Sequence, residues 1–400
     1  MEKIIIVGGG PAGLFCAYLL LKNNYAVDLY EGGTGVLKKF LVAGNGGLNL
    51  THSEKLNLFC TRYGKDENLF KDLLQEFSPT DLRSFCHDLK VETFIGSSGR
   101  VFPKKLKAAE ILFNWMGELK KSKDFTLYTK HKLIDLSLDK KLTFKNEDKE
   151  IHVKGEKVIF ALGGGSWKKT GSDGLWVNIF ENLQIKVNKL IPMNCGFEVN
   201  FSEHLKSKLD RSFLKNIEIK FQDKSLRSEI MLTPYGIEGS GIYALSNHIR
   251  DEILKNHEAI ITLDLKPDLS ISDILKKLEG RKDKESLSNT LRKKCGFSKV
   301  ETTLLLEYLS KEELKDLEII SKKIKSLEIK LLKTRPIDEA ISTSGGIVFS
   351  ELDEYFQAKK IPGLFFAGEM LDFEAPTGGY LLQGCFSTAH RLVKGILLSS

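Results

Sequence analysis

The chain opens on Lys3–Val7 (KIIIV), a β-branched run suited to a strand buried on both faces. A glycine turn follows. The apolar stretch Ala12–Lys22 then reads as a helix, and Ala26–Tyr30 as a second short strand. Between 66 and 89 the pattern predicts two helices, divided by Ser78-Pro79-Thr80-Asp81, which supplies a cap and a first-turn proline. An amphipathic helix is expected over about Lys107–Lys120, and the alternation across 126–152 predicts short antiparallel strands turning at Asp139-Lys140. Val158–Leu162 is a further buried strand, with a helix near Leu175–Leu183. Strand-like pieces recur at Ile217–Phe221, Ile230–Thr233 and Ile260–Leu265. From about Ser270 to Lys333 the chain turns Lys/Glu-rich and helical, with Leu314, Leu317, Ile320, Ile324, Leu327 and Leu331 at spacings of three and four. Gly363–Ala367 returns to a buried strand before a helix at about Leu381–Val393. The fold class this predicts is α/β.

Gly8, Gly10 and Gly13 spell G-x-G-x-x-G between the first strand and helix, with Pro11 and Ala12 inside the motif and Glu31 ending the second strand. That is a dinucleotide-binding unit. Gly8 permits the tight turn, Gly10 lets the backbone approach a pyrophosphate, and Gly13 lets helix and strand pack closely. The helix N-terminus offers N–H groups to phosphate, while Glu31 suits ribose hydroxyls and would repel a 2′-phosphate. The fingerprint alone leaves FAD and NAD open. The Gly/Asn-rich loop after Glu31 (Gly44-Asn45-Gly46-Gly47-Leu48-Asn49-Leu50-Thr51) favours FAD, because it offers N–H and amide groups beyond the pyrophosphate. Gly163-Gly164-Gly165 lacks the crossover helix and acid of a second fingerprint, and suits a strand passing under a flat ligand. Near the C-terminus, Gly368-Glu369 and Thr377-Gly378-Gly379 precede a helix whose N–H groups suit the edge of a flavin that gains negative charge on reduction. Ser342–Ile347 (STSGGI) reads as another glycine turn.

Composition narrows the class. With 400 residues, 42% hydrophobic and 28% charged, the chain should form two or three globular units, not a disordered or collagen-like one. Its six cysteines are scattered without zinc spacing, so no metal site is expected and buried thiols of a reducing cytoplasm are. No apolar run is long enough for a membrane span, and Gly8-Gly9-Gly10-Pro11 interrupts the only stretch resembling a signal peptide. A formal charge of +7 permits a nucleic-acid partner. However, the lysine clusters alternate with Glu and Asp, so a small-molecule partner is expected and nucleic acid is not.

Together, IIIVGGGPAG (4–13), KKFLVAGNGGLNLTH (38–52), SSGRVFP (97–103), ALGGGSWKKTGSDG (161–174), LTPYGIEGSG (232–241), STSGGI (342–347) and GLFFAGEMLDFEAPTGGYLLQG (363–384) resemble the BaiN-like (YhiN-type) family of NAD(P)/FAD-dependent oxidoreductases. The family is also known as aminoacetone-oxidase-type FAD-binding enzymes. The resemblance implies a Rossmann-type (GR2-like) FAD-binding domain from residues 1–190 and 341–400, interrupted by an insert at 191–340 that is β-rich over 191–268 and helical over 269–335. It implies that Gly8, Gly10, Pro11, Ala12, Gly13 and Glu31 hold the ADP half of FAD. Lys39, Asn45, Gly46, Asn49, Leu50, Gly163 and Gly164 would line the flavin's approach. Gly368, Glu369, Thr377, Gly378, Gly379 and Gln383 would surround the ribityl chain and ring. Gly47-Leu48 stands where many relatives have Arg-Cys, so no role of that pair carries over, nor do steroid-like substrates known for some relatives.

The function expected is hydride transfer between flavin N5 and a small organic substrate bound where the FAD domain joins the insert, with NAD(P)H as a transient donor. A flavoprotein oxidase using oxygen and an FAD-dependent RNA-modifying enzyme are the alternatives. Tyr235, Glu369, Asp372 and Tyr380 are candidate catalytic groups, and Arg100 a candidate anion clamp. The oligomeric state stays open.

Overall fold

The computed structural model describes residues 2–44, 47–282 and 284–399. The chain divides into two compact units, one of Met1–Met193 with Ile337–Ser400 and one of Asn194–Pro336.

The first unit is built on a parallel sheet of β1 (Lys3–Val7), β2 (Ala26–Tyr30), β3 (Phe125–Tyr128), β4 (Val158–Phe160) and β5 (Leu364–Phe366), in spatial order β5-β4-β1-β2-β3. The register sets Ile6 beside Leu29 on one side and Ile159 on the other. Ile5 and Ile6, on opposite faces, are both buried, as expected of a strand covered on both faces. Helix α1 (Pro11–Lys22) is buried on nearly every side and packs against α2 (Tyr380–Leu398), so the two ends of the chain close one core. Phe15 of α1 meets Phe386 of α2 edge-on at 4.9 Å between ring centres, with Phe77 and Phe85 at 4.9 and 5.0 Å. Each such pair contributes about 1 kcal/mol beyond its buried area.

The Ser78 signal acts as a capping box. Its hydroxyl accepts from the Asp81 N–H, and the Asp81 carboxylate accepts from the Ser78 N–H, which opens the helix Pro79–Asp88. Two local expectations fail in this unit. Phe125–Tyr128 does not belong to the antiparallel strands. It is β3 of the parallel sheet, drawn there by Tyr128, whose ring stacks on Tyr30 at 4.6 Å. The antiparallel sheet begins one strand later, at Lys132–Leu136, Lys141–Asn146 and Lys149–Lys154. Ser342–Ile347 is not a turn but a wholly buried strand, antiparallel to Val187–Met193, whose small residues fit where larger ones would not.

The second unit has an antiparallel seven-stranded sheet, in the order Leu327–Leu331, Ala259–Asp264, Ser212–Phe221, Lys224–Thr233, Gly236–Glu238, Phe197–Glu198, Lys333–Thr334. Four helices follow the strand Ala259–Asp264 in the chain: Ile271–Glu279, Leu287–Lys294, Lys299–Glu307 and Leu317–Lys325. The helical spacing read through Leu331 stops at Lys325. Leu327, Ile329 and Leu331 are buried alternately with exposed Glu328 and Lys330, which is strand periodicity.

Candidate functional site

The carboxyl ends of β1, β2 and β4 open onto a cavity of about 360 Å³, the crevice where parallel α/β sheets bind ligands. Its floor is the Gly8–Pro11 turn. Gly8 has φ +111°, and a Cβ there would sit 2.3 Å from the Ala161 carbonyl oxygen. A Cβ on Gly13 would lie 2.0 Å from the Gly8 oxygen, so this glycine sets how closely α1 approaches the strand. Gly10 is different: a Cβ there meets no protein atom within 4 Å and would project into open space. Pro11 occupies the first turn of α1, and no side chain caps that helix end, so its N–H groups face the cavity's floor uncovered.

Glu31 closes the far side. Its Oε2 accepts from the Gly9 N–H at 2.8 Å and its Oε1 from the Gly33 N–H at 2.6 Å, which fixes the carboxylate at the rim. Lys39 and Glu369 form the inner wall. Lys39 Nζ donates to both Glu369 oxygens at 3.0 and 2.8 Å and to Ser166 Oγ at 2.7 Å, while Glu369 Oε1 also accepts from the Thr343 N–H at 3.1 Å. The Glu369 side chain is only 9% exposed, so the pair ties helix Lys38–Ala43 to the turn Gly368–Met370.

The remaining residues singled out from sequence fall in several places. Gly163 lines the cavity and its carbonyl accepts from Trp176 Nε1 at 3.0 Å. Gly164 does not line it; a Cβ there would lie 2.4 Å from Thr343 Oγ1, so it serves packing. Ala12 is buried in α1, and Gly368 packs its turn onto that residue. Leu50 is a core residue, its N–H donating to the Val101 carbonyl at 2.9 Å, and not a cavity residue as expected. Gln383 is likewise in the core: fully buried, it accepts from Thr51 Oγ1 at 2.8 Å and donates to the Phe77 carbonyl at 3.0 Å. Its place one turn into α2, facing Thr51 and Phe77, spends both ends of the amide on packing. The turn Thr377-Gly378-Gly379 packs on Thr51, whose Cα lies 2.5 Å from where a Gly379 Cβ would stand. Asn45 and Gly46 lie outside the described residues.

The candidate acids and bases are tied up. Tyr380 donates to Glu54 at 2.7 Å, and Glu54 is gripped by both Arg62 nitrogens, so burial and that carboxylate hold the phenol above its ordinary range. Tyr235, in the second unit, donates to Glu238 at 2.5 Å under the Arg335 guanidinium, and burial with that carboxylate raises it too. Asp372 is buried, accepting from Lys65 at 3.0 Å and Asn188 at 2.8 Å. Arg100 pairs in a strand beside His52 and does not line the cavity.

Beside Asp372, burial pushes the Asp66 carboxyl up to about 6, with Asp372 and Glu374 adding to the rise and Lys65 opposing it. The folded chain holds that proton more tightly than the unfolded one, so a cost appears between the ordinary carboxylate range and about 6 and is fully present at pH 7. Asp66→Asn is therefore expected to raise the melting temperature at pH 7 and leave it unchanged at pH 4, as thermal unfolding at the two values would show.

Sequence reasoning missed Ser172, which is buried against the cavity with its hydroxyl unpartnered. The Thr170–Gly174 loop was visible, but nothing in it says which side chain turns inward. It also missed Lys38, Lys168 and Lys169 at the rim.

The fold and cavity are those of a Rossmann-type dinucleotide-binding protein. The sequence profile of the HI0933-like protein Rossmann domain matches residues 2–394, and the chain belongs to that family. The 3-dehydro-bile acid delta(4,6)-reductase of Clostridium scindens is 25% identical over 98% of both chains, and the ribosomal RNA dihydrouridine synthase of Escherichia coli 23% identical over 97% of both. Two solved structures share the fold: the 3-ketosteroid delta1-dehydrogenase of Sterolibacterium denitrificans (10% identity, full coverage of both chains, TM-score 0.53) and the 3-ketosteroid-delta4-(5alpha)-dehydrogenase of Rhodococcus jostii (12%, 100% and 97% coverage, TM-score 0.51). The family is one of FAD-dependent oxidoreductases, and FAD is its cofactor. The residues present suit it: Gly10 leaves room for a pyrophosphate, and Ser172 Oγ is an enclosed polar atom at the cavity without a protein partner, whereas Asn49 Oδ1, also enclosed and unpartnered, does not line the cavity. Among the described residues no helix is long and apolar enough to cross a membrane.

Proposed function

We propose that the chain is a flavin-dependent reductase that saturates a carbon–carbon double bond of an organic substrate, with reduced nicotinamide as a transient electron donor. The observation that carries the flavin half of this reading is the cavity at the strand ends, with an uncapped helix N-terminus on one side and Glu31 on the other. Gly8, Gly10, Gly13 and the start of α1 would hold the pyrophosphate, and Glu31 the adenosine ribose. Ser172 would give an unpartnered oxygen to the cofactor. FAD supplies the hydride chemistry when bound. The chain's own share is to bind it, to hold Lys39 and Glu369 rigid at the inner wall, and to keep the reacting edge dry.

The reductive direction is supported by the two curated relatives, whose names both describe the addition of hydrogen to an unsaturated bond. The sequence carries one G-x-G-x-x-G fingerprint, which leaves the nicotinamide to bind and depart in turn. Anaerobic mixing of the purified protein with NADH or NADPH, followed by flavin absorbance, tests the reading. Bleaching by either is expected. If both leave the flavin oxidised while oxygen-dependent turnover of an organic substrate occurs, the oxidase reading replaces it.

A further inference from the structure

The chain's positive charge is not spread along it. Residues 276–299 hold nine Lys and Arg against three Asp and Glu, a net +6 out of the chain's +7, so the other residues are almost neutral. The fold gathers that segment into one surface. Lys276 and Lys277 stand in the last turn of helix Ile271–Glu279, and Arg292, Lys293 and Lys294 in the last turn of helix Leu287–Lys294. Lys294 donates to the Gly280 carbonyl and so latches the two helix ends together, with Arg281, Lys282 and Lys284 on the loop between them. Glu279, at the end of its helix, is exposed among these cations, while the other described acids in and beside the segment are engaged. Asp273 caps the opposite end of its helix, Glu301 caps the next one and pairs with Lys266, and Glu285 reaches Lys293 at 3.6 Å.

Cations in a last helical turn ordinarily answer the helix dipole, but that is about half a unit charge per helix end. Three cations on one end exceed it several-fold. Lys276, Arg281, Lys282, Lys284, Arg292 and Lys299 are exposed and make no ion pair or side-chain hydrogen bond among the described residues. Membrane-surface helices back their lysines with apolar side chains, yet no large hydrophobic residue between 276 and 299 is exposed. Single-stranded nucleic acid is held on exposed aromatic rings, and the only aromatic residue of this segment, Phe297, is buried.

We infer that this surface of the second unit docks helical RNA through its phosphate backbone. A cluster of cations without stacking rings reads charge and shape, which is how double-stranded RNA is recognised. The inference stands apart from the flavin reading, since docking needs no electron transfer.

The test is fluorescence anisotropy of the full-length protein with a labelled RNA hairpin across a salt series, beside a DNA hairpin of the same sequence, vesicles containing phosphatidylglycerol, and polyglutamate as competitor. The wild type is expected to bind the RNA hairpin at low salt at least tenfold more tightly than the DNA hairpin or the vesicles, with little competition from polyglutamate. The variant carrying Lys276→Gln, Arg281→Gln, Lys282→Gln and Arg292→Gln should lose that binding and flatten the slope of log affinity against log salt by about 3. Its melting curve and bound flavin should match the wild type, which separates a lost surface from a lost fold. Absent RNA binding, equal affinity for DNA or vesicles, full competition by polyglutamate, or an unchanged slope in the variant would each overturn the inference.

Discussion

Gly10→Ala is expected to leave the chain folded and to weaken its hold on FAD by about a hundredfold, or roughly 3 kcal/mol. The backbone at Gly10 is ordinary, with φ −79°, and the new methyl meets no protein atom within 4 Å. The folded state without cofactor therefore loses nothing. The methyl enters the open space through which the turn would approach a pyrophosphate, where distance would decide the strength of N–H to phosphate contacts. Titration of cofactor-free protein with FAD, read by quenching of flavin fluorescence, gives the affinity, and thermal unfolding of the same sample gives the fold. Gly13→Ala is the contrast. Its methyl would collide with the Gly8 carbonyl oxygen at 2.0 Å, so stability itself should fall.

Lys39→Ala is expected to destabilise the first unit by about 3 kcal/mol, because it strands Glu369 in a site where that carboxylate is 9% exposed. Of the hydrogen bonds Glu369 makes with Lys39 and Thr343, only that from the Thr343 N–H at 3.1 Å survives the substitution. Glu369→Gln removes the uncompensated charge, so the double variant should recover most of the loss. Urea unfolding of the two single variants and the double variant measures the coupling. Additive losses would mean that the pair is held by its surroundings and not by its charges.

Local chemistry made much of this molecule legible in advance. The strand at Lys3–Val7, the glycine turn, α1, β2 and Glu31 are contiguous, and each residue's reason lies within about thirty positions. The Ser78 capping box is equally local. What escaped was decided at long range. Tyr128 is drawn to Tyr30 across the sequence, which turns an apparent hairpin strand into an edge of the parallel sheet. Leu327 and Leu331 satisfy a helical and a strand period alike, and only pairing with Ala259–Leu263 decides between them. At the site, the fingerprint placed the Gly8–Pro11 turn at the cavity floor, whereas Leu50, in a conspicuous glycine-rich loop, and Gln383, in helix α2, face the core. The Lys39–Glu369 pair spans 330 positions and has no local signal. Charge behaved in the same way: Asp273, Glu301 and Asp316, which alternate with lysines along 270–335, turn to cap helix starts, and the sequence alone does not show it.

The most direct measurement of the account is the cofactor content of the purified chain. Denaturing the protein and separating what it releases should yield FAD, at one molecule per chain, with wild-type protein and markedly less with Gly10→Ala. Release of FMN or of no flavin, from protein that remains folded and fails to take up added FAD, would contradict the assignment of the Gly8–Gly13 turn, Glu31 and the strand-end cavity as an FAD site.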